Sequence, residues 1–163
     1  MKLENKIFEL NNFASEMAKL KSEKHFDFLV TIVGEDFGEE GLGCIYILEN
    51  TKTNERISVK AVDSNRENAF IPTVSNLWKG AEILEREVYD FFGIKFLGNK
   101  DMRRLYLRSD FNGYPFRKDY DLSPENNTYT LEDDVEPDYT IEYTMDEEGH
   151  IQQTEHKLFT DDD

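Results

Sequence analysis

Residues 77–93 read LWKGAEILEREVYDFFG, and their spacing decides the fold. Leu77, Ala81, Leu84, Val88 and Phe91 recur at steps of four, three, four and three, which lays one apolar stripe along about four helical turns. Glu82 with Arg86, and Arg86 with Asp90, are opposite charges four apart on the other side. Pro72 blocks strand pairing just upstream, Thr73 or Ser75 is available as a cap, and Gly93 supplies the stop. A helix with one oily face must cover something, and the preceding residues provide it.

Working toward the N-terminus, three short runs read as strands. Phe26–Val33 (FDFLVTIV) is β-rich and closed by Gly34. Cys44–Leu48 (CIYIL) follows a glycine-containing turn over Glu35–Gly43. Ile57, Val59 and Ala61 then alternate with Ser58, Lys60 and Val62 after a turn at Asn50–Asn54. Such short connections favour an antiparallel meander. Phe13, Met17 and Leu20 mark a first amphipathic helix that ends near Lys24, with Asn11 or Asn12 as its cap. The predicted fold class is therefore α+β: a two-layer sandwich of a mostly antiparallel sheet with two main helices.

Toward the C-terminus the periodicity stops. Gly98, Gly113 and Pro115 punctuate residues 94–120, and Leu105–Leu107 alone reads as a short strand. From Leu122 onward apolar residues are sparse, although Tyr139–Met145 and His150–Thr154 could pair as a small hairpin around Asp146–Gly149. A lone hairpin is marginal in water. The expected organisation is one domain over residues 1–120 and an extended acidic tail over 121–163, disordered alone or ordered on a partner.

Charge divides the chain the same way. It has 163 residues with 35 acidic and 19 basic side chains, a formal net charge of −16. Residues 1–120 carry 20 acids and 18 bases, whereas residues 121–163 carry 15 acids and one base, Lys157. Within the first part, residues 91–120 are net +4. This balance argues against nucleic acid and against direct adhesion to anionic lipid. The charged stretch Met1–Phe8 has no hydrophobic signal core, and no apolar run approaches a membrane span. The expectation is an intracellular protein that meets a membrane only indirectly.

No constellation of side chains calls for a cofactor or a metal. The single Cys44 excludes a disulfide framework or a cysteine-held cluster within the chain, and it sits among Ile45, Tyr46 and Ile47 as a small hydrophobe. His25, His150 and His156 lack metal-ligand spacing, and no GxGxxG or GK[ST] phosphate loop occurs. Glu85 and Glu87 point to different sides of a helix, so they cannot share a catalytic site. Glu87 and Asp90 could, but no His or Cys is nearby and Arg86 interleaves. Ion pairing is the better reading of the whole group. Arginines interleaved with aromatics downstream have the composition of a protein interface.

The segment Glu85-Arg86-Glu87-Val88-Tyr89-Asp90-Phe91-Phe92-Gly93-Ile94 closely resembles the ERE-x-[YF]-D-hydrophobic-FGI signature of the C subunit, or 30-kDa subunit, of respiratory NADH–quinone oxidoreductase (complex I). Asp101-Met102-Arg103-Arg104-Leu105 resembles that family's D-L-R-R-[IL] stretch, and Gly113-Tyr114-Pro115-Phe116-Arg117-Lys118-Asp119-Tyr120 resembles its G-H-P-[LM]-R-K-D-[YF] ending. Trp78 and Ala81 match its W-x-x-A, and the resemblance spans about residues 10–120. Four positions depart from the pattern: Asn99 and Lys100 stand for His and Pro, Phe111 for Trp, and Tyr114 for His.

The resemblance implies a subunit of the hydrophilic arm on the cytoplasmic face of a bacterial inner membrane, docked on the quinone-site D subunit and without catalysis of its own. Flavin (FMN), iron–sulfur clusters and quinone would belong to its partners, and the assembled enzyme would pass electrons from NADH to quinone while pumping ions. The expected structural ion pairs join Arg86 to Glu82 or Asp90, and bring Arg103, Arg104 or Arg117 to Glu85 and Glu87, with Lys118 and Asp119 closing the motif. Phe111, Tyr114, Phe116 and Tyr120, then Tyr129, Leu131, Tyr139, Ile141 and Tyr143 of the tail, are the candidate partner contacts. Three other readings stay open: the equivalent subunit of a membrane-bound NiFe hydrogenase or related ferredoxin or quinone oxidoreductase, a stand-alone carboxylate enzyme using Glu87 and Asp90, and an acidic DNA mimic.

Overall fold

In the computed structural model, residues 4–123 and 139–158 are described. Strands β2 (Phe28–Asp36), β3 (Leu42–Asn50) and β4 (Glu55–Asp63) form the expected antiparallel meander, and β1 (Glu4–Ile7) adds to β4 in parallel. The order across this sheet is β1-β4-β3-β2, so β2 is an edge. Gly34 does not close β2; it lies inside it, where α2 (Ala81–Phe92) crosses. A β-carbon there would sit 2.6 Å from the Phe92 ring and 2.9 Å from Val88. Glycine is what lets helix and strand approach so closely.

One face of the meander is the core. Leu42, Cys44, Tyr46 and Leu48 of β3 and Ile57, Val59 and Ala61 of β4 are fully buried. Helix α1 (Leu10–Ser22) brings Phe13, Met17 and Leu20 onto them, with the Phe13 and Tyr46 rings 5.2 Å apart. Burying each such side chain contributes roughly 1.5–3 kcal/mol. Glu9, not Asn11 or Asn12, occupies the cap position of α1, and it makes no side-chain cap bond. Ala81, Glu85 and Val88 form one buried face of α2, and Asp90 is buried on the opposite side. The sandwich and both helices are thus as the apolar spacing predicts. The second helix starts four residues later than Leu77, because residues 74–81 make backbone turns around Trp78 instead.

A second sheet, of order β5-β6-β7-β8, goes beyond what the spacing predicts. Strand β5 (Phe70–Pro72) pairs in parallel with β6 (Lys95–Leu97), which lies just beyond α2. Strands β7 (Tyr139–Met145) and β8 (Ile151–Lys157) form the anticipated hairpin, but it does not stand apart from residues 1–120. Leu97 pairs with Tyr143, Gly98 N–H donates to the Tyr143 carbonyl, and Met102 N–H donates to the Ile141 carbonyl. Docking on β6 buries Tyr143 and gives a marginal hairpin the partner sheet it needs. A boundary at residue 120 therefore does not separate this hairpin from the body. Tyr129 and Leu131 lie outside the described residues. Among those residues, no helix is long and apolar enough to cross a membrane.

Candidate functional site

Three charged positions of α2, Glu85, Arg86 and Asp90, have three different fates. Glu85 is fully buried and accepts hydrogen bonds from Thr73 Oγ1 (2.7 Å), Val74 N–H (2.8 Å) and Asn99 Nδ2 (2.7 Å). Burial pushes its carboxyl up to about 7 against those three donors. Arg86 reaches sideways: Nε and Nη2 donate to the Arg103 and Arg104 carbonyls, and Nη1 meets Asp101 at 3.3 Å. Asp90 is fully buried and turns its carboxylate to Leu105, Tyr106 and Leu107, whose successive N–H groups donate to Oδ2 at 3.1, 2.7 and 3.0 Å. Consecutive amides converging on one anion form a nest, so Leu105–Leu107 is a binding turn and not the expected strand.

The irregular segment that follows β6 is held by the exposed backbone end of α2. A helix leaves its last four carbonyls without internal partners. Here Gly93 N–H caps Tyr89, Arg104 Nη1 bonds Asp90, Phe116 N–H bonds Phe91, and Arg117 Nε bonds Phe92. Gly93 takes φ 70°, and a β-carbon on it would collide with Tyr114 and Arg117, so the chain can turn and pack here only with glycine. Cationic guanidinium groups at this end also suit the negative pole of the helix dipole.

Arg104 is the hub. Its Nη1 also lies 3.2 Å from Asp90 Oδ1, and its Nη2 donates to the Phe111 and Gly113 carbonyls. Its guanidinium stands 5.1 Å from the centre of the Tyr114 ring, and that of Arg117 stands 4.8 Å from the same ring. Arg117 also donates to the Arg66 carbonyl. Asp119 and the buried Asp36 both pair with Arg66, the latter through two bonds at 2.6 and 2.8 Å. The Arg66 guanidinium, with the amides of Lys118 and Gly38, holds the Asp36 carboxyl far below the usual carboxylate range. Lys118 contributes only this backbone bond among the contacts above, and its side chain is exposed.

The expected pairings therefore correct as follows. Arg86 bonds neither Glu82 nor Asp90, because the carbonyls of Arg103 and Arg104 take its donors. Arg104 pairs with Asp90 and not with Glu85 or Glu87, Arg103 pairs with Asp101 at 2.8 Å, and Arg117 serves backbone carbonyls. Among the described residues, Glu85 receives neutral donors only, and Glu87 is half-buried with no internal partner. Asn99, fully buried, does more than depart from a pattern. It donates to Glu85 and to the Glu82 carbonyl while accepting from Asp101 N–H. Its signal is its place between Gly98 and Asp101 opposite a buried carboxylate, visible only once the chain is folded.

The candidate contact aromatics split into buried and open sets. Tyr143 is buried with its hydroxyl 3.2 Å from that of Tyr89, and Tyr114 packs edge-on against Tyr89. Burial pushes the Tyr114 hydroxyl up to about 12. Phe111 and Tyr120 stack on each other half-buried, as are Tyr139 and Ile141. Phe116 is 57% exposed and stacks on Phe91 at 4.4 Å, with the 65% exposed Tyr106 also stacked on Phe91. Among the described residues, no three His, Cys, Asp or Glu side chains gather as metal ligands would.

Residues 8–126 match the family described as the respiratory-chain NADH dehydrogenase 30-kDa subunit, and the chain belongs to that family. Of its relatives, the C/D subunit of NADH-quinone oxidoreductase from Phocaeicola vulgatus is 49% identical over 148 residues, covering 91% of this chain and 28% of that protein. The C subunit of NADH-quinone oxidoreductase from Moorella thermoacetica is 36% identical over 110 residues, covering 67% of this chain and 74% of that protein. A chain of the archaeal membrane-bound sulfane sulfur reductase, a respiratory membrane complex, is similar in structure, with a TM-score of 0.65 and 29% identity over 75% of this chain and 74% of that one. The chain thus spans under a third of the Phocaeicola relative.

Proposed function

We propose that the chain is a non-catalytic structural subunit of the peripheral arm of a NADH–quinone oxidoreductase, where it holds a D-type portion that forms part of the quinone site. One observation carries this reading: the Phocaeicola relative bears the joint name C/D, and this chain matches less than a third of it. Parts that share one polypeptide are built to work side by side. The local chemistry supports the non-catalytic role, since Glu85 and Asp90 spend their oxygens on internal donors and sit sealed from solvent. In this reading FMN, iron–sulfur clusters and quinone are held by partner subunits, and ion translocation belongs to the assembly. The chain is carried on the cytoplasmic face of the inner membrane through its partners.

Affinity purification of the tagged chain from solubilised membranes, followed by mass spectrometry and NADH–quinone assays, tests this. Co-purification of a D-type portion, with electron transfer in the complex and none by the chain alone, is expected. NADH oxidation by the purified chain, or absence of any D-type portion, would overturn it. A second reading is favoured by the structural likeness to the sulfane sulfur reductase complex: the equivalent subunit of a membrane-bound hydrogenase or related ferredoxin or quinone oxidoreductase. Nickel-ligand cysteines in the co-purified D-type portion, with hydrogen turnover, would establish that alternative.

A further inference from the structure

Strand β2 is an edge whose outer side pairs with no strand among the described residues. Edges are normally blunted by lysine, proline or a covering element. The opposite edge, β1, carries Glu4 and Lys6. By contrast the β2 sequence FLVTIVGED contains no lysine, arginine or proline, and it leaves Phe28 51% and Val33 47% exposed. Beside it runs a groove of about 250 Å³ between β2 and α2, lined by Thr31, Val33, Val88, Phe91 and Phe116, with Glu87 at its wall. Ile83, 54% exposed, stands one turn before Glu87 on the same side of α2.

Glu87 is the feature that selects an occupant. The other acids of the signature are satisfied inside the fold, whereas Glu87 is a half-buried carboxylate with no partner among the described residues, set among apolar side chains. A cation matches such a group most strongly, because it pairs charge with charge as well as donating hydrogen bonds. A second copy of this chain is a poor candidate. Edge-to-edge pairing would set two chains of net charge −16 against each other, each with Glu35 on the strand and Glu87 beside it.

We infer that an extended segment of the partner adds a strand to the outer edge of β2, seats apolar side chains in the groove and lays an arginine or lysine on Glu87. Main-chain bonds along the edge would supply affinity and the groove would supply specificity, as in other strand additions. The inference rests on the functional reading above, in that the segment belongs to the D-type portion.

The test uses the full chain in its purified complex, with the photo-crosslinking residue benzoylphenylalanine placed at Val33 and, as a control, at Lys6 on the far edge. Val33 should link to one continuous stretch of the D-type portion that has an arginine or lysine within two residues of the linked site, and Lys6 should not reach that stretch. Glu87→Lys should lower the Val33 yield at least tenfold and Glu87→Gln less so, while circular dichroism of both variants stays as wild type. Links from Val33 to a second copy, to lipid or to nothing, with the D-type portion still present, would overturn the inference and leave the functional reading standing. An unchanged yield in Glu87→Lys would also overturn it. Absence of the D-type portion would refute both.

Discussion

Asp90→Asn asks whether the amide nest truly anchors the segment after β6. The carboxylate is fully buried and faces four donors: three consecutive amides on Oδ2, and Arg104 Nη1 at 3.2 Å on Oδ1. Asparagine offers one acceptor and one donor in the same shape. With its oxygen toward Leu105–Leu107, its NH2 confronts the Arg104 guanidinium; flipped, its NH2 confronts three N–H groups. Either way a donor meets donors, and Arg104 loses its counter-charge. Removing one member of a buried ion pair costs ~3–5 kcal/mol, a large share of a typical total of ~5–15 kcal/mol. At a urea slope of ~2 kcal/mol per molar, the unfolding midpoint should fall by roughly 2 M. Hydrogen exchange should report where the loss lies: the amides of Leu105, Tyr106 and Leu107 should lose protection before those of β3. Asp101→Asn is the control, since Asp101 is 31% exposed and its pairs with Arg86 and Arg103 are worth ~1 kcal/mol or less each. A midpoint shift for Asp90→Asn no larger than that of the control, with the three amides still protected, would refute the nest as the anchor.

Two further perturbations probe the body. Glu85 has a folded pKa raised from 4.5 to about 7 by burial, so between those values the folded state binds more protons than the unfolded one. Stability should therefore be highest below pH 4.5 as far as this group is concerned, and should fall by about 3 kcal/mol as pH rises through 7; Glu85→Gln should flatten that part of the profile, and an unchanged slope in urea titrations from pH 5 to 8 would contradict it. Gly34→Val places branched carbons where Phe92 and Val88 already sit, so α2 must shift, at a cost of ~1–3 kcal/mol; a melting temperature equal to wild type would show that the helix does not rest on this strand.

The helix 81–92 and the meander 28–63 can be read from spacing because each follows a local period, 3.6 or 2, that burial then selects. The hairpin 139–157 is legible as a hairpin for the same reason. Its seat on β6 is not, since a parallel pair such as Leu97 with Tyr143 joins residues far apart in sequence and leaves no local trace. The ion pairs escape a sequence reading for a different reason. Helical spacing makes Arg86 a neighbour of Glu82 and Asp90, and on an isolated helix such pairs gain only ~0.2–0.5 kcal/mol. In the folded chain the competing acceptors are backbone carbonyls that burial would otherwise leave bare, and each lost bond of that kind costs ~1–3 kcal/mol. The arginine goes where the greater free energy is at stake.

The basic stretch follows the same preference. A net charge of +4 over residues 91–120 suggests a surface that attracts anions. Yet Arg104 and Arg117 close off the end of α2, and Arg103 is tied to Asp101, so much of that charge is directed at the protein's own backbone and acids. What the signature leaves facing outward is the reverse sign, a single carboxylate on Glu87 beside a strand edge unpaired among the described residues and an aromatic ridge. Among the charged positions of the signature, Glu85, Arg86 and Asp90 thus answer to the fold, and a substitution at any of them is read first in stability. Glu87 alone of the four has no partner among the described residues, so its substitution should separate assembly from folding.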